Sequence, residues 1–316
     1  MRTDVADWFD RRTSHADDWP LDALLAAKGS TTVTVILPAL DEERTVGPIV
    51  RAIARRFCAG DRPLVDELVV VDSGSTDATA ERAAAAGACV VRREDVRPDQ
   101  PVIPGKGGAM WRGLAATTGD VVAFVDSDLD DFDSRFVTGL LGPLLTDASV
   151  ALVKATYDRP LRSGETVLPA GGGRVTELVA RPLLALCWPE LAGFVQPLSG
   201  ECAARRSLLE RITFPTGYGV ELAVLVDALR LVGLDALAQV DLLRRKHRNS
   251  SDAKLGQMAT EIIQVALHRL EREGRLSLRT QLSPVLTQFT RDAAGTYEPH
   301  TTDLTPHEHP ALADAR

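Results

Sequence analysis

The chain has 316 residues, of which 45% are hydrophobic and 25% are charged. This balance is ordinary for a globular protein and excludes a chain that is mainly disordered. The 44 acidic residues outnumber the 36 lysines and arginines, which gives a net charge of −8. An acidic chain argues against general binding to nucleic acid or to anionic membranes, since both attract basic surfaces.

Targeting signals are missing from the sequence pattern. No stretch has the roughly 18 consecutive apolar residues that a membrane-spanning helix needs. The first twenty residues are charged and lack the apolar core of a secretory signal. Four scattered cysteines, each among apolar or small residues and without a CxxC pair, are typical of buried, reduced thiols. We therefore expect a cytoplasmic protein with no membrane partner.

Strands and helices alternate in the first half of the chain, after an arm (1–30) with one short helix at 21–27. The predicted elements are strand 32–37, helix 43–57, strand 67–71, helix 78–86, strand 88–91, helix 107–117 and strand 120–125. The strands are continuous apolar runs, as expected when helices cover both faces of a parallel sheet. This pattern predicts an α/β fold with a doubly wound, mostly parallel sheet flanked by helices.

The second half is predicted to be richer in helices. Its elements are helix 136–145, strand 150–155, a Gly/Pro-rich loop at 160–173, helices 174–186 and 219–231, strand 236–243 and an amphipathic helix at 251–273. We divide the chain into the arm, a first half at 31–155, a second half of the same domain at 156–275, and a mobile C-terminal tail at 276–316.

Polar and acidic residues follow three of the predicted strands, where ligands bind in open parallel sheets. They form the segments PALDEE (38–43), DSGSTD (72–77) and DSD (126–128). Asp126 and Asp128 are two apart in extended chain, so both carboxylates can face one divalent cation. Taken alone, this motif is better explained as a helix N-cap cluster, because more aspartates and Ser134 follow.

Two loops contain small residues. DSGSTD lets backbone amides approach a polar ligand, although a plain strand-to-helix turn capped by Thr76 or Asp77 is the better explanation of this motif alone. The loop from Gly105 to Gly108 precedes a helix and suits an anion, but it lacks the spacing of a phosphate-binding P-loop. Each signal is weak alone, whereas their succession on neighbouring strand tips is strong.

The chain resembles a known family. VTVILPALDEERTV, VVVDSGSTDATAE and GKGGAMWRGLAATTGDVVAFVDSDL resemble the nucleotide-sugar glycosyltransferases of the GT-A fold. LVKATYDRPL, GGGRVTELVARPLL, QPLSGE, GYGVELAVLVDAL and KHRN are similar to a narrower group, the actinobacterial glucosyl-3-phosphoglycerate synthases and the related mannosyl-3-phosphoglycerate synthase. The resemblance covers about residues 30–270 and implies a nucleotide-sugar-binding first half and an acceptor-binding second half.

The resemblance also implies roles for single residues. The implied donor site consists of Pro38, Ala39, Leu40, Glu42, Ser73, Lys106, Asp126, Ser127 and Tyr218. Asp128 and His247 would ligate Mg²⁺ or Mn²⁺. The acceptor would contact Gly173, Arg174, Thr176 and Asn249. Glu221 and Lys106 would be the catalytic pair, although Glu221 suits a first-turn dipole partner for its helix equally well.

The implied reaction is transfer of glucose from UDP-glucose to 3-phosphoglycerate, with retention at the anomeric carbon. The residues alone leave front-face attack and double displacement open. GDP-mannose as donor, glycerate or a lipid phosphate as acceptor, and a non-catalytic nucleotide-sugar binder are the alternatives. The helix at 251–273 has more apolar surface than one face needs, which packing on its own domain explains as well. The family resemblance suggests a homodimer.

Overall fold

A mixed α/β architecture is seen in the computed structural model, which describes residues 1–158, 161–163, 166–168, 173–244 and 251–315. Its strands are β1 (Thr13–His15), β2 (Val33–Ala39), β3 (Glu67–Asp72), β4 (Cys89–Arg92), β5 (Val121–Phe124), β6 (Leu152–Asp158), β7 (Leu161–Ser163), β8 (Thr166–Leu168), β9 (Cys202–Arg205), β10 (Phe214–Pro215), β11 (Leu237–Arg244), β12 (Val285–Arg291), β13 (Tyr297–Asp303) and β14 (Glu308–His309). Eight of them form one sheet in the order β1-β11-β6-β9-β5-β2-β3-β4.

Helices cover both faces of this sheet. They are α1 (Thr3–Arg12), α2 (Leu21–Lys28), α3 (Val46–Phe57), α4 (Thr79–Ala86), α5 (Lys106–Ala115), α6 (Arg135–Thr146), α7 (Arg181–Cys187), α8 (Arg206–Leu209), α9 (Val220–Val232) and α10 (Asp252–Arg272). Helices α2, α3, α4 and α6 pack on one face, and α1, α5, α7, α9 and α10 pack on the other. The predicted mostly parallel sheet with flanking helices is confirmed.

The predicted strands of the first half lie within a few residues of β2, β3, β4 and β5. All four residues of β5 are buried, and six of the seven in β2 are buried. Such strands cannot alternate apolar and polar side chains, because neither face meets water. Their parallel pairing brings the ends of β2, β3 and β5 to one edge of the sheet.

An antiparallel strand joins the two halves of the sheet, and the sequence did not reveal it. Strand β9 lies between β5 and β6 and runs against both. Its direction places its first residues, rather than its last, at the edge where β5 and β6 end. Gly200 and Glu201 directly precede β9, so they lie at this edge, and Gly200 is packed against Asp126.

The N-terminal arm has more structure than its one predicted helix. Helix α1 buries Val5 and Trp8 completely, and the Trp8 indole donates to the Leu237 carbonyl at 2.8 Å. Strand β1 then pairs in parallel with β11 at the sheet edge. The arm is therefore part of the main body of the protein.

The C-terminal segment contains a hairpin of β12 and β13, followed by β14, which pairs with β10. His309 is only 2% exposed, so the end of the chain is packed against the body. The expected mobility of this segment stays a prediction.

All four cysteines lie in the described part of the chain and are unpaired; Cys202 is buried, whereas Cys89 is exposed. Sequence reasoning had wrongly expected every thiol to be buried. Across the described ranges, none of the helices combines the length and apolar character needed to cross a bilayer.

Candidate active site

The tips of β2, β3 and β5 meet, as the sequence predicts. The Ser127 hydroxyl donates to the Pro38 carbonyl at 2.6 Å, and the Ser73 amide donates to the Ala39 carbonyl at 2.9 Å. Leu40 extends beyond them and is 54% exposed. The tips thus form a backbone-rich edge with one free apolar side chain, which suits a nucleoside base.

Asp41 fastens the first tip to the second. Its backbone adopts a φ of 55°, in the left-handed region that Asp and Asn tolerate best among side-chain-bearing residues. Its carboxylate accepts from the Thr76 amide at 2.8 Å, and its own amide donates to the Ser75 hydroxyl. The side chain of Glu42 accepts from Thr45. Both acidic residues therefore hold the turn in shape.

Lys106 lies at the centre of the site, between two carboxylates. Its Nζ is 2.6 Å from Asp126 Oδ1 and 3.0 Å from Glu221 Oε1. Burial disfavours the ammonium, but attraction to Asp126 and then to Glu221 outweighs it, so the pKa of Lys106 is raised well above its usual value. Lys106 is therefore a fixed positive charge and not a proton acceptor.

A buried polar network lies next to Lys106 and its two carboxylate partners. Glu201 is fully buried and accepts from the Tyr157 hydroxyl at 2.8 Å and from the Ser199 hydroxyl at 3.1 Å. Lys154 is also fully buried and donates to the Ser199 carbonyl. Burial lowers the pKa of Lys154, in contrast to that of Lys106. Two neighbouring lysines thus have opposite electrostatic environments.

The glycines around Lys106 serve close packing. A Cβ on Gly105 would lie 2.1 Å from the Thr216 carbonyl oxygen, and one on Gly107 would lie 1.7 Å from that of Pro215. The Gly107 amide donates to the Thr216 carbonyl at 3.0 Å. Because the Gly107 amide already has a hydrogen-bond acceptor, it is not available to an anion. The prediction that this loop suits an anion is therefore wrong for Gly107.

Tyr218 and Glu221 come from the loop and first turn that begin α9. The Tyr218 amide donates to Glu261 of α10 at 2.5 Å, and Gly217 leaves the space for that carboxylate. Burial raises the pKa of Glu261. Helix α10 therefore fixes the loop that precedes Glu221.

On the acceptor side, Arg174 opens a helical segment that continues as the π-helical turn Thr176–Ala180. Its guanidinium pairs with Asp252, the 89% exposed first residue of α10. Gly173 has a φ of 81°, and Thr176 is 2% exposed. Asn249, His247 and the preceding glycines Gly171 and Gly172 lie outside the described residues.

Comparison with known proteins identifies the family. The family model for glycosyl transferase family 2 matches residues 34–212. A glucosyl-3-phosphoglycerate synthase of Mycolicibacterium paratuberculosis is 52% identical over 265 residues, which cover 83% of this chain and 79% of that protein. The chain belongs to the glucosyl-3-phosphoglycerate synthase family. The expected resemblance and the GT-A type of fold are thereby confirmed.

Two solved structures extend this comparison. Glucosyl-3-phosphoglycerate synthase from Mycobacterium tuberculosis, in complex with Mn²⁺, UDP and phosphoglyceric acid, has a TM-score of 0.84 and 45% identity, covering 96% of this chain and 99% of that one. Mannosyl-3-phosphoglycerate synthase from Rubrobacter xylanophilus has a TM-score of 0.89 and 38% identity, covering 99% and 98%. The mycobacterial enzyme has also been solved with Mn²⁺, UDP-glucose and phosphoglyceric acid.

The carboxylate oxygens at this site suit a divalent metal, and structures of the mycobacterial synthase contain Mn²⁺ or Mg²⁺. Asp128 lies in the loop that follows β5, shortly after Asp126, and is half-buried. Among the described residues no group of three or more His, Cys, Asp or Glu side chains forms a metal cluster. A single carboxylate is compatible with Mg²⁺ or Mn²⁺ that takes its other ligands from diphosphate oxygens and water.

Sequence reasoning missed three charged residues of this site. Lys154 interrupts an apolar strand, Glu201 precedes β9, and Glu261 lies on α10. An isolated charge in an apolar strand is a usable signal, because lysine is almost never fully buried without a partner. Glu261 gives no such signal, since its helix has other charged residues on its exposed face.

Proposed function

We propose that this protein transfers glucose from UDP-glucose to the 2-hydroxyl of 3-phosphoglycerate, with retention at the anomeric carbon. Family membership gives the reaction class. The observation that carries the proposal for this chain is the Lys106 ammonium, fixed by Asp126 and Glu221 where three strand tips meet. A permanent positive charge at the ligand edge of the sheet suits a diphosphate donor.

The donor would lie across the tips of β2, β3 and β5. We assign the uridine contacts to Pro38, Ala39, Leu40, Glu42, Ser73, Asp126 and Ser127, and the sugar contact to Tyr218. The exposed Leu40 offers an apolar surface for the base. Glu42 and Ser73 belong to turns that hydrogen bonds already fix, so little ordering is needed when the nucleotide binds.

Leaving-group stabilisation is the chemical task of the site. Asp128 and His247 would hold Mg²⁺ or Mn²⁺, which would supply Lewis-acid stabilisation of the departing diphosphate. Lys106 adds a second positive charge whose position is fixed before the reaction, so no reorganisation is needed as negative charge develops. Glu221 is the second carboxylate that pairs with Lys106, and we assign it to the sugar side of the site.

The acceptor would bind between Arg174 and the start of α10. The backbone amides in the first turn of the helical segment and the Arg174 guanidinium together suit a phosphate or carboxylate. The structure has Arg174 paired with Asp252. We infer that the acceptor phosphate replaces Asp252 as the partner of Arg174, with Gly173, Thr176 and Asn249 beside it.

Mannosyl transfer from GDP-mannose is the second candidate, favoured by the Rubrobacter xylanophilus structure that covers 99% of this chain. Thermal-shift and calorimetric titrations with UDP-glucose, GDP-mannose and ADP-glucose, each with and without Mn²⁺, separate the two. We expect a Mn²⁺-dependent shift with UDP-glucose that exceeds the other two. A larger shift with GDP-mannose would instead support mannosyl transfer as the function.

We also propose a cytoplasmic homodimer. Leu178 and Leu186 are 75% and 80% exposed, and they follow one another along the helical segment that ends in α7. Exposed leucines in this arrangement suit burial against a second copy. Light scattering should give twice the chain mass at micromolar concentration, and the monomer mass would contradict the dimer. Cell fractionation checks the compartment.

A further inference from the structure

The residues that follow the C-terminal hairpin contact the loop before α9, the helix whose first turn contains Glu221. Strand β14 pairs antiparallel with β10, so that Phe214 faces His309 and Pro215 faces Glu308. The Thr216 amide extends this ladder by donating to the His307 carbonyl at 2.9 Å. The end of the chain thus holds the backbone two residues before Tyr218.

From Thr216 the contact continues to Lys106. The Thr216 carbonyl accepts from the Gly107 amide, and the same oxygen lies too close to Gly105 for any Cβ there. Gly105 and Gly107 flank Lys106 on both sides. A shift of Thr216 would therefore displace the backbone that carries the central ammonium.

A second attachment reaches α5, the helix that Lys106 begins. The Trp111 indole donates to the Pro310 carbonyl at 2.8 Å. The His309 ring stacks on the Trp111 ring, with 4.5 Å between centroids and 10° between planes, and it lies beneath Gly108. The stack is flat and buried, so it fixes the first two turns of α5 against the C-terminal strand.

A third attachment reaches α9 and α10 through Glu308. Its carboxylate pairs with Arg269 and Arg272 and accepts from the Thr213 hydroxyl at 2.8 Å. Arg269 is 3% exposed and also pairs with Asp227 of α9 at 2.8 Å. The C-terminal strand is therefore tied to the helix whose first turn contains Glu221.

We propose that His307–Pro310, the C-terminal clamp, is a positioning element for the pair of Lys106 and Glu221. The clamp contacts the segments that carry both partners, and it holds them by backbone bonds, a ring stack and a buried ion pair. This inference rests on the proposed function of Lys106. It assigns a role in turnover to a segment that the family motifs do not cover.

His309 allows a test in the full-length protein. His309→Ala removes the stack on Trp111, whereas His309→Phe keeps a flat ring of similar size. Misplacement of reacting groups by about 1 Å costs up to about a hundredfold in rate. We expect His309→Ala to lower kcat about tenfold while the KM for 3-phosphoglycerate changes less than twofold, and His309→Phe to restore kcat to within twofold.

Ile53→Ala is the matched stability control, because Ile53 is fully buried on the other face of the sheet. It should lower the melting temperature as much as His309→Ala and leave kcat unchanged. Equal kcat losses in the two variants would overturn the proposal, as would wild-type kcat in His309→Ala. Glu308→Gln, which weakens the ion pair and keeps the backbone ladder, serves if His309→Ala does not fold; unchanged kcat there overturns the proposal.

Hydrogen exchange separates failure of the clamp from failure of the proposed function. The Gly107 amide is bonded to Thr216, so it should exchange about tenfold faster in His309→Ala than in Ile53→Ala, whatever the substrate. Equal exchange in the two variants would refute the clamp even if wild-type protein makes the expected product. Faster exchange in a protein that lacks this activity would refute only the proposed function.

Discussion

The two halves of the central sheet are assembled in different ways. Strands β5, β2, β3 and β4 come from one continuous stretch, residues 33–124, in which each strand is followed by its covering helix. Strands β1, β11, β6 and β9 come from four segments spread from residue 13 to residue 244. The first half is therefore local, because its strands are close together in the sequence. The second half is distant, because its strands come from separated segments, and the N-terminal arm supplies its edge strand β1.

The chemistry lies where these halves meet. Asp126 follows the last strand of the local half, and Gly200 and Glu201 precede β9 of the other half. A Cβ on Gly200 would lie 2.1 Å from the Lys106 ammonium. The local half thus supplies the tips to which we assign the nucleotide, together with Lys106 and Asp126, and the distant helix α9 supplies Glu221 as the second partner of Lys106.

The largest expected effect comes from Trp8→Ala, which tests whether the arm holds the second half. Trp8 is fully buried and bonded to Leu237 of β11. Loss of such a side chain costs about 3–5 kcal/mol of unfolding free energy. Hydrogen exchange should accelerate first in β1 and β11 and not in β2 and β3. Equal acceleration in both halves would show that the sheet is a single stability unit.

Lys106 of the local half and Lys154 of the distant half allow the contributions of the two halves to catalysis to be compared. Lys106→Met removes the charge between Asp126 and Glu221, and we expect kcat to fall on the order of a hundred- to a thousandfold. Lys154→Met replaces an ammonium that burial already disfavours, so its kcat should fall less than tenfold. Steady-state kinetics on both variants measures the contrast. Similar losses would mean that both lysines contribute to turnover.

The pH dependence of stability tests the packed C-terminal segment. Burial, aided by Arg112, lowers the pKa of His309 from 6.5 to about 4. The unfolded chain therefore binds this proton at a higher pH than the native protein, and stability falls as the pH drops from 6.5 to 4. The full loss is about 3 kcal/mol. In denaturant titrations His309→Phe should lose less stability than wild type over this range; parallel curves would contradict burial of a neutral ring.

The smallest effect concerns the acceptor, where the second half faces solvent. A charge-assisted hydrogen bond is worth about 1.5–3 kcal/mol, so Arg174→Ala should raise the KM for 3-phosphoglycerate about ten- to a hundredfold and leave UDP affinity unchanged. Asp252→Ala, the matched control, removes the competing partner and should lower that KM. If Arg174→Ala keeps the wild-type preference for 3-phosphoglycerate over glycerate, Arg174 does not bind the phosphate.

Sequence reasoning found the local half almost completely, and the reason is physical. Its strands are apolar on both faces, and the helices between them have caps and glycines at fixed places, such as Gly87 after α4. The position of PALDEE, DSGSTD and DSD at one edge of the sheet could be predicted from strand direction alone. The pairing of Lys106 with Asp126 and Glu221 did not, because it depends on β10 and α9 approaching from distant parts of the chain.

The distant half left weaker signals. Strand β9 is four residues long and contains two alanines, so its sequence has neither length nor β-branched character. Helix α1 buries only Val5 and Trp8, one turn apart, in an otherwise charged segment. In β14 Glu308 is half-buried and His309 is buried, and their ion pairs and ring stack replace apolar contacts. The polar composition of this segment gives no sign of such packing, which depends on tertiary pairing with β10.

The most direct test of the proposed function is product analysis. Purified protein is incubated with Mn²⁺, 3-phosphoglycerate and an equimolar mixture of UDP-glucose and GDP-mannose, and the product is examined by mass spectrometry and proton NMR. We predict a hexosyl-3-phosphoglycerate formed at the expense of UDP-glucose alone, with the small anomeric coupling of an α-glucoside. Consumption of GDP-mannose instead, a β-linked product, or an unchanged mixture would contradict the proposed function.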